Sequence, residues 1–178
     1  MTQHELWEKA VAFHGHECPG LAIGVRASMI AMKRLKINDR AKDEELVCIT
    51  ENDACGVDAV QALLGCTLGK GNLIFRDTGK QAFSFYERKT GSSFRIVLNQ
   101  LPKELNRNEK INYILTADEE KVFSSTPVKC QIPERARLFT SVQCETCHEY
   151  ASEGRIRLQN GKKVCMDCFV PYERWEKR

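Results

Sequence analysis

The sequence predicts an α+β domain followed by a small zinc-binding domain, and three observations carry that prediction. Apolar residues recur at helical spacing in the N-terminal third, and between Leu73 and Leu98 they change to strand-like alternation. Two Cys-x2-Cys pairs, Cys144/Cys147 and Cys165/Cys168, then follow at the spacing of a four-thiolate zinc site. We therefore divide the chain into a core domain, residues 1–126, and a zinc-ribbon or treble-clef domain, residues 127–178.

The first helix opens on Thr2-Gln3-His4-Glu5, a Thr-x-x-Glu capping box, and runs to about Ala12 with Leu6 and Ala10 on one face. It delivers the chain into Phe13-His14-Gly15-His16-Glu17-Cys18-Pro19-Gly20, where two imidazoles and a thiol fall within five residues. Those side chains hold zinc and similar borderline metals, or pair as base and nucleophile. Pro19 suits the first turn of a helix, which puts Cys18 at a helix N-terminus where the dipole favours the thiolate. The competing reading is two ordinary loop histidines and a small buried cysteine.

A second helix over residues 19–35 carries Leu21, Val25, Met29 and Met32 at core spacing. Gly20, Gly24 and Ser28 form a stripe of small residues four apart, which predicts close approach of another backbone, from the sheet or from a partner subunit. Residues 46–50 read as a strand with Cys48 in its buried core. Residues 53–65 read as a third helix with Asp53 as N-cap and Gly65 closing it. Cys55 then lies in the first turn, with Asp58 three residues on along the same face. A second cysteine at a second helix start is the expected partner of His16 and Cys18.

The following Cys66-Thr67-Leu68-Gly69-Lys70-Gly71-Asn72-Leu73 is not a phosphate loop, because the glycine spacing is short by one and Gly71 stands where a magnesium-binding Ser or Thr belongs. Lys70 with neighbouring amides remains a candidate for holding an anionic group, against a plain glycine turn with a solvated lysine. Three strands are expected over residues 72–76, 82–86 and 94–98, the last two forming an antiparallel hairpin with one wet face. Short helices are expected at residues 103–106 and 117–123, and Ser124-Ser125-Thr126-Pro127 reads as a linker.

In the second domain, Asn160-Gly161 marks a hairpin turn between the cysteine pairs, and residues 170–178 suit a terminal helix. So short a segment has little core, so the metal supplies its folding energy. This zinc is closed and structural; His148 is the less suitable fourth ligand while four thiolates are present.

Composition narrows the function. The 178 residues are 42% hydrophobic and 29% charged, as in an ordinary globular protein, and no apolar run is long enough to span a membrane. No basic start and apolar stretch open the chain, so a cytoplasmic protein is expected, with its nine cysteines reduced or metal-bound. The net charge of +3 is too small to imply nucleic-acid binding. The excess lies in residues 126–178, with ten Lys+Arg against seven Asp+Glu, and it is modest.

Taken together, His14-Gly15-His16-x-Cys18-Pro19-Gly20, the Asn52-Asp53-Ala54-Cys55-x-x-Asp58-Ala59-x-Gln61 helix and Gly65-Cys66-Thr67-Leu68-Gly69-Lys70-Gly71-Asn72-Leu73 resemble the formylmethanofuran dehydrogenase FmdE family over residues 10–100. The resemblance implies a mixed β-sheet flanked by helices, a homodimer, a cleft lined by the His/Cys motifs, and a link in some archaea to a molybdenum or tungsten oxidoreductase complex. It does not say what an FmdE chain itself does.

The expectation is thus a metal-binding protein with two sites. His16, Cys18 and Cys55 hold zinc or another divalent transition metal in the first, with His14 as a further or outer group. Three protein ligands leave a position for substrate, with His14, Asp58 and Lys70 as catalytic candidates: Asp58 orients a ligating histidine or acts as base, and Lys70 holds an anionic substrate. Cys144, Cys147, Cys165 and Cys168 hold structural zinc in the second. The alternatives are a non-catalytic scaffold or metal-delivery partner of an oxidoreductase complex, and a thiol-redox protein using Cys18 and Cys55.

Overall fold

The computed structural model describes residues 1–172 and 174 and divides into two compact units, Met1–Ala136 and Arg137–Arg178. In the first unit, α1 (Gln3–His14) and α2 (Pro19–Leu35) precede β1 (Leu46–Thr50), α3 (Gly56–Leu64), β2 (Leu73–Phe75), β3 (Ala82–Glu87) and β4 (Ser93–Leu98). Helices α4 (Arg107–Thr116) and α5 (Glu119–Val122) then lead into β5 (Phe123–Thr126). The sheet order is β2-β1-β3-β4-β5, with β1 and β2 parallel and the remaining neighbours antiparallel. It is the expected α+β core: a mixed sheet with helices.

Alternation along β1 sorts the core into two faces. Leu46 and Cys48 join Phe83, Phe85 and Ile96 beneath α1–α4, while Val47 and Ile49 meet Tyr86, Ile74 and Val128 on the opposite face. The hairpin therefore lacks the wet face expected of it. Ser84 and Tyr86 on β3 are also buried, and the Tyr86 hydroxyl donates to the Cys130 carbonyl at 2.9 Å. The segment after β5 covers that face, which explains why the first unit continues to Ala136 rather than ending at 126. The Ala136 amide donates to the Glu44 carboxylate at 3.0 and 3.1 Å.

The expected linker at residues 124–127 overlaps β5, paired with β4 from Leu98↔Phe123 to Arg95↔Thr126. Of the short helices expected before it, α5 falls within 117–123, while the one at 103–106 lies later than expected. Asn106 caps α4 and forms a capping box with Glu109, so the helix occupies Arg107–Thr116 and buries Ile114 and Leu115. Arg26 fastens its end to α2, donating to the Leu115 and Ala117 carbonyls.

The small-residue stripe on α2 lies against another helix rather than the sheet. It meets α3 of the same chain: a Cβ on Gly24 would lie 2.0 Å from the Gly56 carbonyl oxygen. Only two glycines face to face allow that approach, and it brings the N-termini of α2 and α3 side by side.

In the second unit, β6 (Ser141–Gln143) pairs with β7 (Tyr150–Ser152), and β8 (Arg157–Gln159) pairs with β9 (Lys162–Val164). Asn160 and Gly161 turn the latter hairpin with φ of +51° and +76°, as a two-residue turn of that hand requires. Residues 170–172 are not helical, and most of the terminal helix expected over 170–178 lies outside the described residues.

Candidate metal centres

The chain around His14–Cys18 is folded by its caps. Gly15 ends α1 in the left-handed region at φ +94°, donating to the Val11 carbonyl, and the chain turns sharply there. The turn folds His16 back onto His14, with ring centroids 4.4 Å apart. Cys18 is the N-cap of α2: its Sγ accepts from the Leu21 amide at 3.2 Å, and Pro19 occupies the first turn. The ligand atoms of His14, His16 and Cys18 consequently lie within 4.8 Å of one another.

His14 is the best-oriented group of the three. Its Nδ1 is 2.7 Å from Asp58 Oδ2, which leaves Nε2 facing Cys18 Sγ at 3.8 Å. With the carboxylate accepting at Nδ1, the Nε2 lone pair is free to bind a metal. Tetrahedral zinc with bonds of about 2.3 Å to sulfur and 2.0–2.1 Å to nitrogen needs those two atoms about 3.6 Å apart. Asp58 is in turn held by Gln61, whose Nε2 donates to Oδ1 at 3.3 Å, one turn along α3.

The structure thus regroups the residues singled out from sequence. His14 joins His16 and Cys18 in the cluster instead of standing outside it, and Asp58 orients it. Cys55 lies beside Cys18 but outside the three-residue group. The Cys55 and Cys18 sulfurs are 3.6 and 3.8 Å from the point where a Cβ on Gly20 would stand. Burial first, and then the neighbouring Cys18, push the Cys55 thiol up. Cys55 itself, not Asp53, is the N-cap position of α3, and it makes no side-chain cap bond. Asp53 is exposed because Asn52 Oδ1 accepts from the Ala54 amide instead and closes the turn before the helix.

Lys70 is not brought to this cluster. Its Nζ donates to the Ala41 carbonyl at 2.7 Å, and its loop is packed around Asn72. The fully buried Asn72 carboxamide donates to the Asp43 and Leu46 carbonyls at 3.0 and 2.9 Å and accepts from the Thr67 amide at 2.8 Å. A cleft of about 500 Å³ opens instead beside His14, Cys55 and Asp58, with Leu68, Leu73 and Phe75 on its apolar side. The sequence did not single out those three apolar residues as cleft-lining. Leu68 and Phe75 are 68% and 49% exposed, and only the fold shows that they share one wall.

In the second unit, the Sγ atoms of Cys144, Cys147, Cys165 and Cys168 lie within 4.8 Å of one another. The two Cys-x2-Cys turns follow β6 and β9 and face each other, with Cys147 and Cys165 sulfurs 3.8 Å apart. Amide N–H groups of Cys147 and Cys165 hold the Cys144 thiol down at about 6, suited to a thiolate ligand. His148 takes a left-handed conformation at φ +65° within the first turn and is not one of the group.

A mixed-sheet core bearing a His/Cys cluster, followed by a four-cysteine module with the arrangement of a zinc finger, defines a metal-binding protein. The family described as FmdE, molybdenum formylmethanofuran dehydrogenase operon, matches residues 13–131. The prokaryotic dksA/traR C4-type zinc finger matches residues 137–174. The chain belongs to the FmdE family and carries a C-terminal C4 zinc finger. It is 31% identical over 195 residues to a probable S-adenosyl-L-methionine-binding protein of Archaeoglobus fulgidus, an alignment covering 92% of this chain and 52% of that protein. The chain therefore spans about half the length of that relative. The crystal structure of a tungsten formylmethanofuran dehydrogenase FmdE-like protein from Syntrophus aciditrophicus is also similar. It superposes with a TM-score of 0.70 at 26% identity, covering 94% of this chain and 92% of that one. Among the described residues, no helix is long and apolar enough to cross a membrane.

Proposed function

We propose that the first unit binds zinc or another divalent transition metal through His14, His16 and Cys18, and uses it to act on a small molecule held in the adjoining cleft. The observation that carries this reading is the bracketing of His14, with Asp58 Oδ2 2.7 Å from Nδ1 and Cys18 Sγ 3.8 Å from Nε2. A surface histidine needs no carboxylate behind it; a metal-ligating one commonly has one. Two imidazoles and one thiolate are a donor set for zinc-like ions, and three protein ligands are the number found in open, catalytic sites. A bound ion would supply Lewis acidity, Asp58 would fix the tautomer and orientation of His14, and the apolar residues of the cleft would receive the body of a small molecule.

The proximity of Cys55 to Cys18 supports a second reading, in which those two thiols cycle through a disulfide. Bound metal opposes that, because it holds Cys18 as a ligand.

Metal content per chain separates the readings. The zinc finger provides an internal reference of one, so wild type should carry two metals and the His14→Ala and Cys18→Ser variants one each. One metal in wild type would overturn the proposal and leave the thiol pair as the chemistry of the site.

A further inference from the structure

The charge and hydrogen-bonding character of the cleft restrict what it can hold. Its volume of about 500 Å³ suits a small molecule. Leu68 and Phe75 stand exposed at its wall, and Val57 and Leu73 also line it. Among the described residues lining it there is no lysine or arginine, while Asp53 and Asp58 both face it. The lysine of the neighbouring glycine-rich motif is held on the Ala41 carbonyl.

The Thr50, Asn52 and Gln61 side chains at the polar end each make one bond within the protein. The Thr50 hydroxyl donates to the Asn52 carbonyl at 2.7 Å, Asn52 Nδ2 to the Lys80 carbonyl at 3.0 Å, and Gln61 Nε2 to Asp58 at 3.3 Å. At the start of α3, the Ala54 amide donates to Asn52 Oδ1, and the Val57 and Asp58 amides donate to the Ala54 and Cys55 carbonyls. Asp53 and Asp58 are the charged carboxylates lining this end, so a carboxylate or phosphate entering here meets negative charge.

We propose that the cleft selects a small molecule with an apolar, ring-sized body and an uncharged or cationic polar end, and rejects carboxylates and phosphates of the same shape. The apolar body lies on Leu68, Leu73 and Phe75, and the polar end, an amine or hydroxyl, donates toward Asp53 and Asp58. The assignment rests on the reading of His14, His16 and Cys18 as a metal centre at the edge of the cleft, and it extends that reading to the substrate class.

The test is binding of three matched probes, benzylamine, benzyl alcohol and benzoate, to the full chain by ligand-observed NMR, with metal content measured on the same sample. Benzylamine and benzyl alcohol should bind at least tenfold more tightly than benzoate. In Asp53→Lys the benzylamine-to-benzoate ratio should fall about tenfold with metal content unchanged, because Asp53 is not a ligand. Equal or tighter binding of benzoate to wild type, or saturation by none of the probes at millimolar concentration, would overturn the inference. One metal per chain with the amine preference intact would overturn the metal reading alone and leave the charge selection standing.

Discussion

Replacing Gly24 by alanine should both destabilise the first unit and empty its metal site. The added Cβ would stand 2.0 Å from the Gly56 carbonyl oxygen, 2.5 Å from its Cα and 2.6 Å from its carbonyl carbon. All three are backbone atoms, so no side chain can swing aside. Ordinary contact begins near 3.4 Å, so α2 and α3 must separate by roughly 1.4 Å where they cross. Overpacking of this kind costs about 1–3 kcal/mol, and a backbone neighbour places it at the upper end. Alanine returns up to about 1 kcal/mol of helix propensity, leaving a net loss of about 2 kcal/mol. For a domain of this size that is a fall in Tm of roughly 4–8 °C. The crossing also sets the distance from Cys18, the N-cap of α2, to Asp58 on α3. Metal sites tolerate displacements of only about 0.5 Å, so the first-unit metal should be lost while the zinc finger keeps its own. Helical circular dichroism on heating, with metal content per chain, measures both effects. Gly69→Ala is the control, because a Cβ there meets nothing within 4 Å. If Gly24→Ala melts with Gly69→Ala and keeps two metals, the close crossing is not what holds the site.

The buried Glu51–Arg95 pair gives a pH-dependent prediction. Arg95 Nε and Nη2 donate to Glu51 at 2.5 and 3.0 Å, and that contact holds the Glu51 carboxyl at about 2 against an ordinary 4.5. A depressed pKa stabilises the fold above the unfolded value, so the contribution should be intact above about pH 4.5 and lost as pH falls toward 2. Glu51→Gln should cost about 3–5 kcal/mol at neutral pH by stranding Arg95, and urea melts should show the gap to wild type closing across that acid window. Asp58→Asn should weaken first-unit metal affinity by about 10–100-fold with little loss of stability, read by competition with a chromogenic chelator. Chelation at neutral pH should make residues 137–172 susceptible to limited proteolysis while the first unit keeps its helical signal, because Cys144, Val164 and Cys165 are the only buried members of the second unit's described hydrophobic cluster.

Local signals that carry their own physics were legible in the sequence. Thr2 and Glu5 cap α1, Pro19 opens α2 behind Cys18, Gly65 closes α3, and Asn160-Gly161 turns the last hairpin. Each is decided within a few residues. The second half of the first unit was harder because its segments are defined by distant partners. Phe123–Thr126 has the composition of a linker and becomes a strand only because β4 offers a free edge. Residues 127–136 lack periodicity and join the first unit because Val128 packs on the Val47 and Tyr86 cluster and the Cys130 carbonyl accepts from Tyr86. Asn106 and Glu109 were a readable capping box, and missing them displaced the expected helix. At the candidate site, the pattern pointed to motifs that the fold brings together but not to their pairing. His14 and Asp58 are 44 positions apart, on α1 and α3, and only the packing of those two helices sets them 2.7 Å apart.

The three motifs that carry the family likeness therefore divide the work. The first two build the site: His14, His16 and Cys18 supply the cluster, and Cys55, Asp58 and Gln61 supply its neighbour, its orienting carboxylate and the support of that carboxylate. The third builds the frame. Gly65 and Gly71 turn with φ of +72° and +77°, and the buried Asn72 amide gathers carbonyls from Asp43, Leu46 and Gly65. That knot fixes the end of α3 against the start of β1, and it sets β2 parallel to β1 with Leu73 opposite Cys48. Lys70, whose charge suggested an anion site, completes the same knot on Ala41. With Lys70 held there, the charged carboxylates among the residues lining the cleft are Asp53 and Asp58.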